Sequence, residues 1–211
     1  MAVLTHAGTL PELTLPQMLR ERARRDAQRV AIRQKEFGIW KPYTWAQYYE
    51  RANHFAQGLV ALGMAPGGHL GVISENRIEW VLAQMRASLL GAVTVGVYPT
   101  SPTPEVAYVV GHADIDVVVC EDQEQVDKVL EARAQLPRLR RIIMVETKGL
   151  RDYPPEQRAL ISSFDDVERL GAQAGHQGLI EDALARQRLD DIGLMIYTSG
   201  STGKPKGAMI S

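Results

Sequence analysis

The residues of this chain best suited to chemistry lie near its C-terminal end. An apolar run beginning at Ile192 leads into a polar stretch, and a second apolar run begins at Gly207. The stretch combines glycines, hydroxyl side chains and lysines, namely Thr198, Ser199, Gly200, Ser201, Thr202, Gly203, Lys204 and Lys206. Glycines let backbone N–H groups converge on an anion, hydroxyls donate hydrogen bonds, and lysines add positive charge. The sequence therefore predicts a loop that binds a polyphosphate.

Two other types of loop could have a similar composition. A Walker A loop has the form G-x-x-x-x-G-K-[ST], but counting back from Gly203 places Thr198 where glycine is required, and Pro205 follows Lys204. Residues 207–211 also have the pattern of a strand, whereas a helix follows a Walker loop. A hairpin turn without a ligand needs as few as about two residues, and the polar stretch is longer. The spacing favours a strand–loop–strand phosphate site.

The hydroxyl groups of the loop could also contact the Mg²⁺ ion that usually accompanies a nucleotide. Thr198 or Thr202 is the candidate ligand. A plain hydrogen bond from either hydroxyl to a phosphate oxygen is the alternative, and the sequence leaves both open.

The elements upstream, which must position this loop, alternate between strand and helix. Short apolar runs that predict strands lie at 70–73, 92–97, 116–120 and 141–145. Such runs between helices are typical of a parallel sheet buried on both faces. The predicted fold class is α/β, a doubly wound, mostly parallel sheet with helices on both faces. Ligands gather at the carboxyl ends of such strands, so the turn 98–102 is either a rigid turn or a ligand contact.

Local signals place further elements. Thr14 and Thr44 are predicted to begin helices, and Thr44 with Gln47 has the form of a capping box. Residues 36–38 predict the turn of a β-hairpin, and Gly63 is placed to end the helix after Thr44. Helices are also expected over 164–174 and 179–188, after a loop or domain seam near 147–156. His112, at a helix end, is expected to interact with the helix dipole.

Composition excludes several classes of protein. Of 211 residues, 45% are hydrophobic and 23% charged, as in soluble globular proteins. The formal net charge of -1 gives no sign of a nucleic-acid partner. A single cysteine, Cys120, ends an apolar run and predicts a buried core thiol in a reducing compartment. No apolar run approaches the ~18 residues of a membrane span, and no secretory signal is visible, so we expect a cytoplasmic protein.

The segment 197–207, Y-T-S-G-S-T-G-K-P-K-G, resembles the signature of the adenylate-forming superfamily of acyl-CoA synthetases, peptide-synthetase adenylation domains and luciferases. Residues 40–45, 91–102 and 119–128 resemble the long-chain fatty acyl-CoA synthetase branch. The resemblance extends over nearly the whole chain, although the signature is its most specific part.

This resemblance implies ATP, Mg²⁺ and CoA as cofactors and a fatty acid as substrate. A carboxylate would attack the α-phosphorus of ATP, giving acyl-adenylate and pyrophosphate, and CoA would then displace AMP. The side chains of Thr198, Ser199, Ser201, Thr202 and Lys206 would hold the β- and γ-phosphates together with the loop backbone. Lys204 occupies a position that varies in the family, so it ranks below Lys206. Peripheral association with a membrane stays open.

The resemblance also implies a longer protein. Residues 1–211 would form the N-terminal portion of the AMP-binding domain, and the adenine and ribose contacts, the acidic Mg²⁺ ligand and the catalytic lysine would follow. No catalytic residue is expected within the chain, which should be inactive alone. The alternative is a short, non-catalytic protein that binds a nucleotide or a partner through the same fold.

Overall fold

The computed structural model describes residues 12–198 and 204–211. Its α-helices are α1 (Leu15–Arg25), α2 (Trp45–Ala61), α3 (Ile78–Leu89), α4 (Thr103–His112), α5 (Gln123–Glu131), α6 (Pro155–Arg158), α7 (Phe164–Ala174) and α8 (Gln177–Arg186). Its β-strands are β1 (Val30–Glu36), β2 (Ile39–Thr44), β3 (His69–Ile73), β4 (Val93–Val97), β5 (Val117–Cys120), β6 (Arg141–Met144), β7 (Ile161–Ser163), β8 (Leu194–Thr198) and β9 (Lys206–Ile210). Within these residues, no helix combines the length and apolar character needed to cross a membrane.

Seven of the described strands form one sheet in the order β7-β6-β5-β3-β4-β8-β9. Neighbouring strands from β7 to β8 are parallel, and β9 runs antiparallel to β8. The chain passes from β3 to β4 and then returns beyond β3 to β5, so the strand order reverses as in doubly wound sheets. The predicted α/β class with a mostly parallel sheet is confirmed.

Helices cover both faces of this sheet. Successive side chains of a strand point to opposite sides, so one strand can contribute apolar side chains to both cores. On β5, Val117 and Val119 join a core that includes residues of α2, α3, α7 and α8. Val118 and Cys120 join a second core, which includes residues of α4 and α5. Both faces of the strand are therefore apolar, which explains the uninterrupted apolar runs in the sequence.

The predicted hairpin and capped helix before the sheet are confirmed. Phe37 and Gly38 form the turn between β1 and β2 with φ angles of 47° and 83°, the positive pair that a tight hairpin turn requires. At the start of α2, the Thr44 hydroxyl accepts a hydrogen bond from the Gln47 N–H, and Gln47 Oε1 accepts one from the Thr44 N–H. Gly63, with φ of 90°, follows the helix.

The region after residue 146 differs in part from the sequence prediction. The helix over 164–174 is confirmed as α7, whereas α8 begins and ends two residues earlier than predicted, at Gln177–Arg186. The sequence predicts neither α6 nor β7, because such short elements carry no periodic signal. β7 pairs with β6, so strands of one sheet lie on both sides of 147–156. That residues 1–211 form the N-terminal portion of a longer domain stays a prediction.

Helices α2 and α7 approach each other closely because each has a glycine where they meet. A Cβ atom on Gly171 would collide with the His54 carbonyl oxygen and lie 2.5 Å from the Gly58 nitrogen. A Cβ atom on Gly58 would likewise collide with the Val167 carbonyl oxygen. The obstructing atoms belong to helix backbones, which cannot move aside as a flexible side chain can.

We expect Gly171→Ala to lower the free energy of unfolding by about 3 kcal/mol, because the added methyl group overpacks the α2–α7 contact. Urea unfolding followed by circular dichroism measures this change. Gly178→Ala in α8 is the matched control, since a Cβ atom there meets nothing within 4 Å. Its stability should be unchanged or slightly higher, and equal stability of the two variants would contradict the close approach at Gly171.

Candidate phosphate-binding site

The candidate loop connects β8 to β9, two strands that the sequence predicted on either side of it. The antiparallel register of these strands pairs Thr198 directly with Lys206. Both residues are exposed, so their side chains can meet a ligand at the mouth of the loop. Lys204, also exposed, precedes β9. Five predicted site residues lie outside the described part of the chain, namely Ser199, Gly200, Ser201, Thr202 and Gly203.

The loop begins at the carboxyl edge of the parallel sheet, where ligands of α/β proteins usually bind. β4 lies beside β8, and the turn that follows β4 is fixed by side-chain hydrogen bonds. The Ser101 hydroxyl donates to Glu105 at 3.0 Å, and Lys128 Nζ donates to the Pro99 carbonyl at 2.7 Å. These contacts favour the rigid turn of the two predicted alternatives. Tyr98, which is 58% exposed, remains accessible to a ligand.

Helix α4 contacts the chain at both ends of the loop. On the entry side, the Tyr197 hydroxyl lies 2.6 Å from Nδ1 of His112, and which group donates depends on the imidazole tautomer. On the exit side, the Tyr108 hydroxyl donates to the Pro205 carbonyl at 3.1 Å. The Lys204 ammonium also lies 5.2 Å from the centre of the Tyr108 ring. These contacts give the mouth of the loop a fixed support.

Tyr197 is buried among aromatic rings at this support. Its ring meets those of Tyr108 and His112 edge-on, with centroids 6.4 Å and 5.8 Å apart. Burial raises the pKa of the Tyr197 phenol, and Tyr108 and Asp114 add to the shift. The phenol therefore stays protonated at neutral pH and keeps a hydrogen to donate. His112, predicted only to interact with the helix dipole, thus has a specific side-chain partner.

An ion-pair cluster at the same edge of the sheet was missed by sequence reasoning. Arg77 contacts Glu79 at 2.7 Å, Glu121 at 3.1 Å and Glu146 at 2.8 Å. Burial acts to lower the pKa of Arg77, but hydrogen bonds to Glu79 and Glu146 outweigh it and raise the pKa. Glu121 and Glu146 come shortly after β5 and β6 in the chain. Their position at the carboxyl ends of two strands is the sequence signal that could have predicted this cluster. Their charges are already paired with the guanidinium of Arg77.

The described residues contain few groups that could bind a metal ion or act as a nucleophile. Among residues 12–198 and 204–211, no group of three or more His, Cys, Asp or Glu side chains could hold a metal ion. Thr198 offers one exposed neutral oxygen, which is compatible with Mg²⁺ but is a single ligand. Cys120 is buried, and burial raises the pKa of its thiol, so the predicted core thiol is confirmed.

Comparison with known proteins gives relatives over almost the whole chain. A family profile described as "AMP-binding enzyme" matches residues 19–211. A long-chain-fatty-acid–CoA ligase of Xenopus laevis is 30% identical over 204 residues, which cover 97% of this chain and 27% of the relative. A ligase of the same name from Homo sapiens is 30% identical over 200 residues, covering 94% and 29%. The chain therefore spans less than a third of these relatives.

Solved structures share the fold. Anthranilate CoA ligase AuaEII, in complex with anthranoyl-AMP, aligns with a TM-score of 0.73 and 25% identity over 95% of this chain and 35% of that chain. The A-PCP didomain of carboxylic acid reductase from Segniliparus rugosus, in complex with AMP, aligns with a TM-score of 0.76 and 18% identity over 96% and 32%. At 18% identity, the similarity to the carboxylic acid reductase didomain shows a shared fold and no more.

Proposed function

The chain belongs to the AMP-binding enzyme family, and from this membership we propose that it is part of a ligase that activates a long-chain fatty acid. In the first step, the carboxylate of the acid attacks the α-phosphorus of ATP, giving acyl-adenylate and pyrophosphate. In the second step, the CoA thiolate attacks the acyl carbon and AMP leaves. The named relatives support the substrate class. Residues 1–211 serve the first step, as the N-terminal portion of the AMP-binding domain.

The observation that carries this proposal is the position of Thr198 and Lys206. They face each other across the β8–β9 hairpin, are exposed, and lie at the carboxyl edge of the sheet. A hydroxyl donor and an ammonium at opposite ends of a glycine-rich loop suit the terminal phosphates of ATP. Among the described residues, Lys206 has no carboxylate partner that would neutralise it.

The proposed role of the loop is to hold and neutralise the phosphates. Hydroxyl groups and the lysine contact the β- and γ-phosphates, while backbone N–H groups at Gly200 and Gly203 complete the cradle. The proposed side-chain contacts are Thr198, Ser199, Ser201, Thr202 and Lys206. Holding the leaving group fixes the α-phosphorus for in-line attack, and positive charge stabilises the pyrophosphate as it departs. Lys204 contributes less, since its ammonium lies over the Tyr108 ring.

Mg²⁺ bound with ATP would reduce the repulsion between the phosphates and the incoming carboxylate. Thr198 or Thr202 would supply a hydroxyl oxygen to it, a ligand type that a hard cation accepts. We propose no CoA contact within this chain. A cytoplasmic location and peripheral contact with a membrane stay predictions.

We expect the full-length protein that carries this chain to convert ATP to AMP and pyrophosphate only when a long-chain acid is present. Attack at the α-phosphorus leaves AMP on the acyl group, whereas attack at the γ-phosphorus would give ADP. A coupled pyrophosphate assay, with chromatographic separation of AMP from ADP, measures the products. Omission of CoA should stop the reaction after a single turnover, at the acyl-adenylate.

Residues 1–211 alone are the comparison for this test. They should release no pyrophosphate and bind Mg·ATP weakly in isothermal titration, because phosphate contacts alone must offset the whole entropic cost of binding. A micromolar dissociation constant corresponds to about 8 kcal/mol, which is more than we expect from this loop. Release of ADP, or indifference of the full-length protein to the acid, would overturn the proposed function.

A further inference from the structure

The two contacts from α4 lie on either side of the polar loop 198–204 in sequence, and the exit contact immediately precedes Lys206. Tyr197 is the last residue before the polar loop, and Pro205 is the residue before β9. Their partners, His112 and Tyr108, are four positions apart and so lie on one face of α4. One helix face therefore holds the entry and the exit of the loop.

We propose that His112 is a positioning residue for the adenylation step. Its hydrogen bond with the Tyr197 hydroxyl fixes the end of β8 and thereby the direction in which the chain enters the phosphate loop. His112 touches neither substrate nor the reacting atoms and acts through Tyr197. The inference rests on the proposed function, because it assigns His112 a part in that reaction.

The need for a partner at Tyr197 follows from its burial. The residue as a whole is only 4% exposed, while His112, which contacts its hydroxyl, is exposed at the surface, so the imidazole is the polar side chain that fixes the tip of the buried ring. A buried hydroxyl without a partner is costly, so the ring would shift to regain one, and a ring that lacks the hydroxyl has no hydrogen bond that holds it to α4. Tyr197 is bonded directly to Thr198 in the chain, so such a shift moves the first proposed phosphate contact. Small displacements of aligned groups lower rates steeply.

The entry contact can be tested more cleanly than the exit contact. At the exit, the acceptor is the Pro205 backbone carbonyl, which no substitution removes. At the entry, both partners are side chains, and the contacting atom is Nδ1 of His112. Asparagine places an amide atom where Nδ1 lies, leucine fills similar space without a polar atom, and Tyr197→Phe removes only the hydroxyl.

We expect His112→Leu and Tyr197→Phe in the full-length ligase to slow acid-dependent exchange of pyrophosphate into ATP about tenfold. The double variant should be no slower than either single variant, because the same hydrogen bond is lost in each. His112→Asn should recover most of the rate. Thioester formation from supplied acyl-adenylate should remain unchanged in all four proteins, which separates positioning from a general loss of structure.

The outcomes separate this inference from the proposed function. Active wild-type protein with an unchanged His112→Leu variant would overturn the inference alone, as would additive losses or equal slowing of both half-reactions. Wild-type protein without acid-dependent exchange would overturn the proposed function and this inference with it. The melting temperature shows whether His112→Leu folds. If it does not, Tyr197→Phe is compared with His112→Asn instead, and pyrophosphate exchange should be slower in Tyr197→Phe.

Discussion

Replacing Lys206 with alanine should slow adenylation by about 100- to 1,000-fold, the usual loss when one preorganised charge contact is removed. Lys206 is exposed at the start of β9, opposite Thr198 and at the mouth of the loop. In the proposed reaction, negative charge would grow on the pyrophosphate as it leaves, so the ammonium would stabilise the transition state more than it stabilises bound ATP. Single-turnover formation of acyl-adenylate, followed by quenching, measures the step.

Lys204→Ala is the matched control for this change. It removes the same charge two residues away, from an ammonium 5.2 Å from the Tyr108 ring. An exposed contact of this kind is worth about 0.5–1 kcal/mol, so adenylation should slow less than tenfold. For both variants, thioester formation from supplied acyl-adenylate should remain near the wild-type rate. Equal slowing of both half-reactions by Lys206→Ala would show that the lysine is structural.

The sequence predicts well those elements whose signals are local. Apolar runs such as 117–120 identify the buried strands, because both faces of a doubly wound sheet are covered. The Phe37-Gly38 turn and the Thr44 cap also follow from a few neighbouring residues. The strands predicted on both sides of the candidate phosphate-binding loop are confirmed as β8 and β9. The phosphate contacts themselves stay predictions, since residues 199–203 lie outside the described part of the chain.

Contacts between distant residues could not be predicted in the same way. His112 and Tyr197 are 85 positions apart, and a single histidine at a helix end carries no signal that identifies its partner. Arg86 is a second example, because an arginine in an amphipathic helix is expected to face water. Its side chain is instead fully buried, which depends on the packing of α3 against other helices.

The burial of Arg86 makes the fold depend on one carboxylate. Its guanidinium lies 4.3 Å from the centre of the Phe55 ring and 4.4 Å from that of Phe164. Glu168 on α7 forms the ion pair with Arg86 and also contacts Arg51 at 3.2 Å. Burial lowers the pKa of Arg86, and Glu168 opposes that shift. The charged guanidinium is therefore tolerated in the core because Glu168 is there.

Glu168→Gln should lower the free energy of unfolding by about 3–5 kcal/mol, the usual cost of removing one partner from a buried ion pair. The amide keeps the shape of the side chain but leaves the Arg86 guanidinium in the core without a counter-ion. Aromatic faces contribute on the order of 2 kcal/mol to a desolvated cation, which is less than the loss. Urea unfolding of residues 1–211, followed by far-ultraviolet circular dichroism, measures the difference.

Asp166→Asn is the matched control, since it makes the same acid-to-amide change on α7. Asp166 is 52% exposed and pairs with Arg169, so its loss should cost under about 1 kcal/mol. Adding Arg86→Met to Glu168→Gln should restore most of the stability, because an apolar replacement for a buried ion pair is often neutral. If Glu168→Gln cost no more than Asp166→Asn, the buried guanidinium would need no counter-ion, and the rings of Phe55 and Phe164 would have to stabilise it alone.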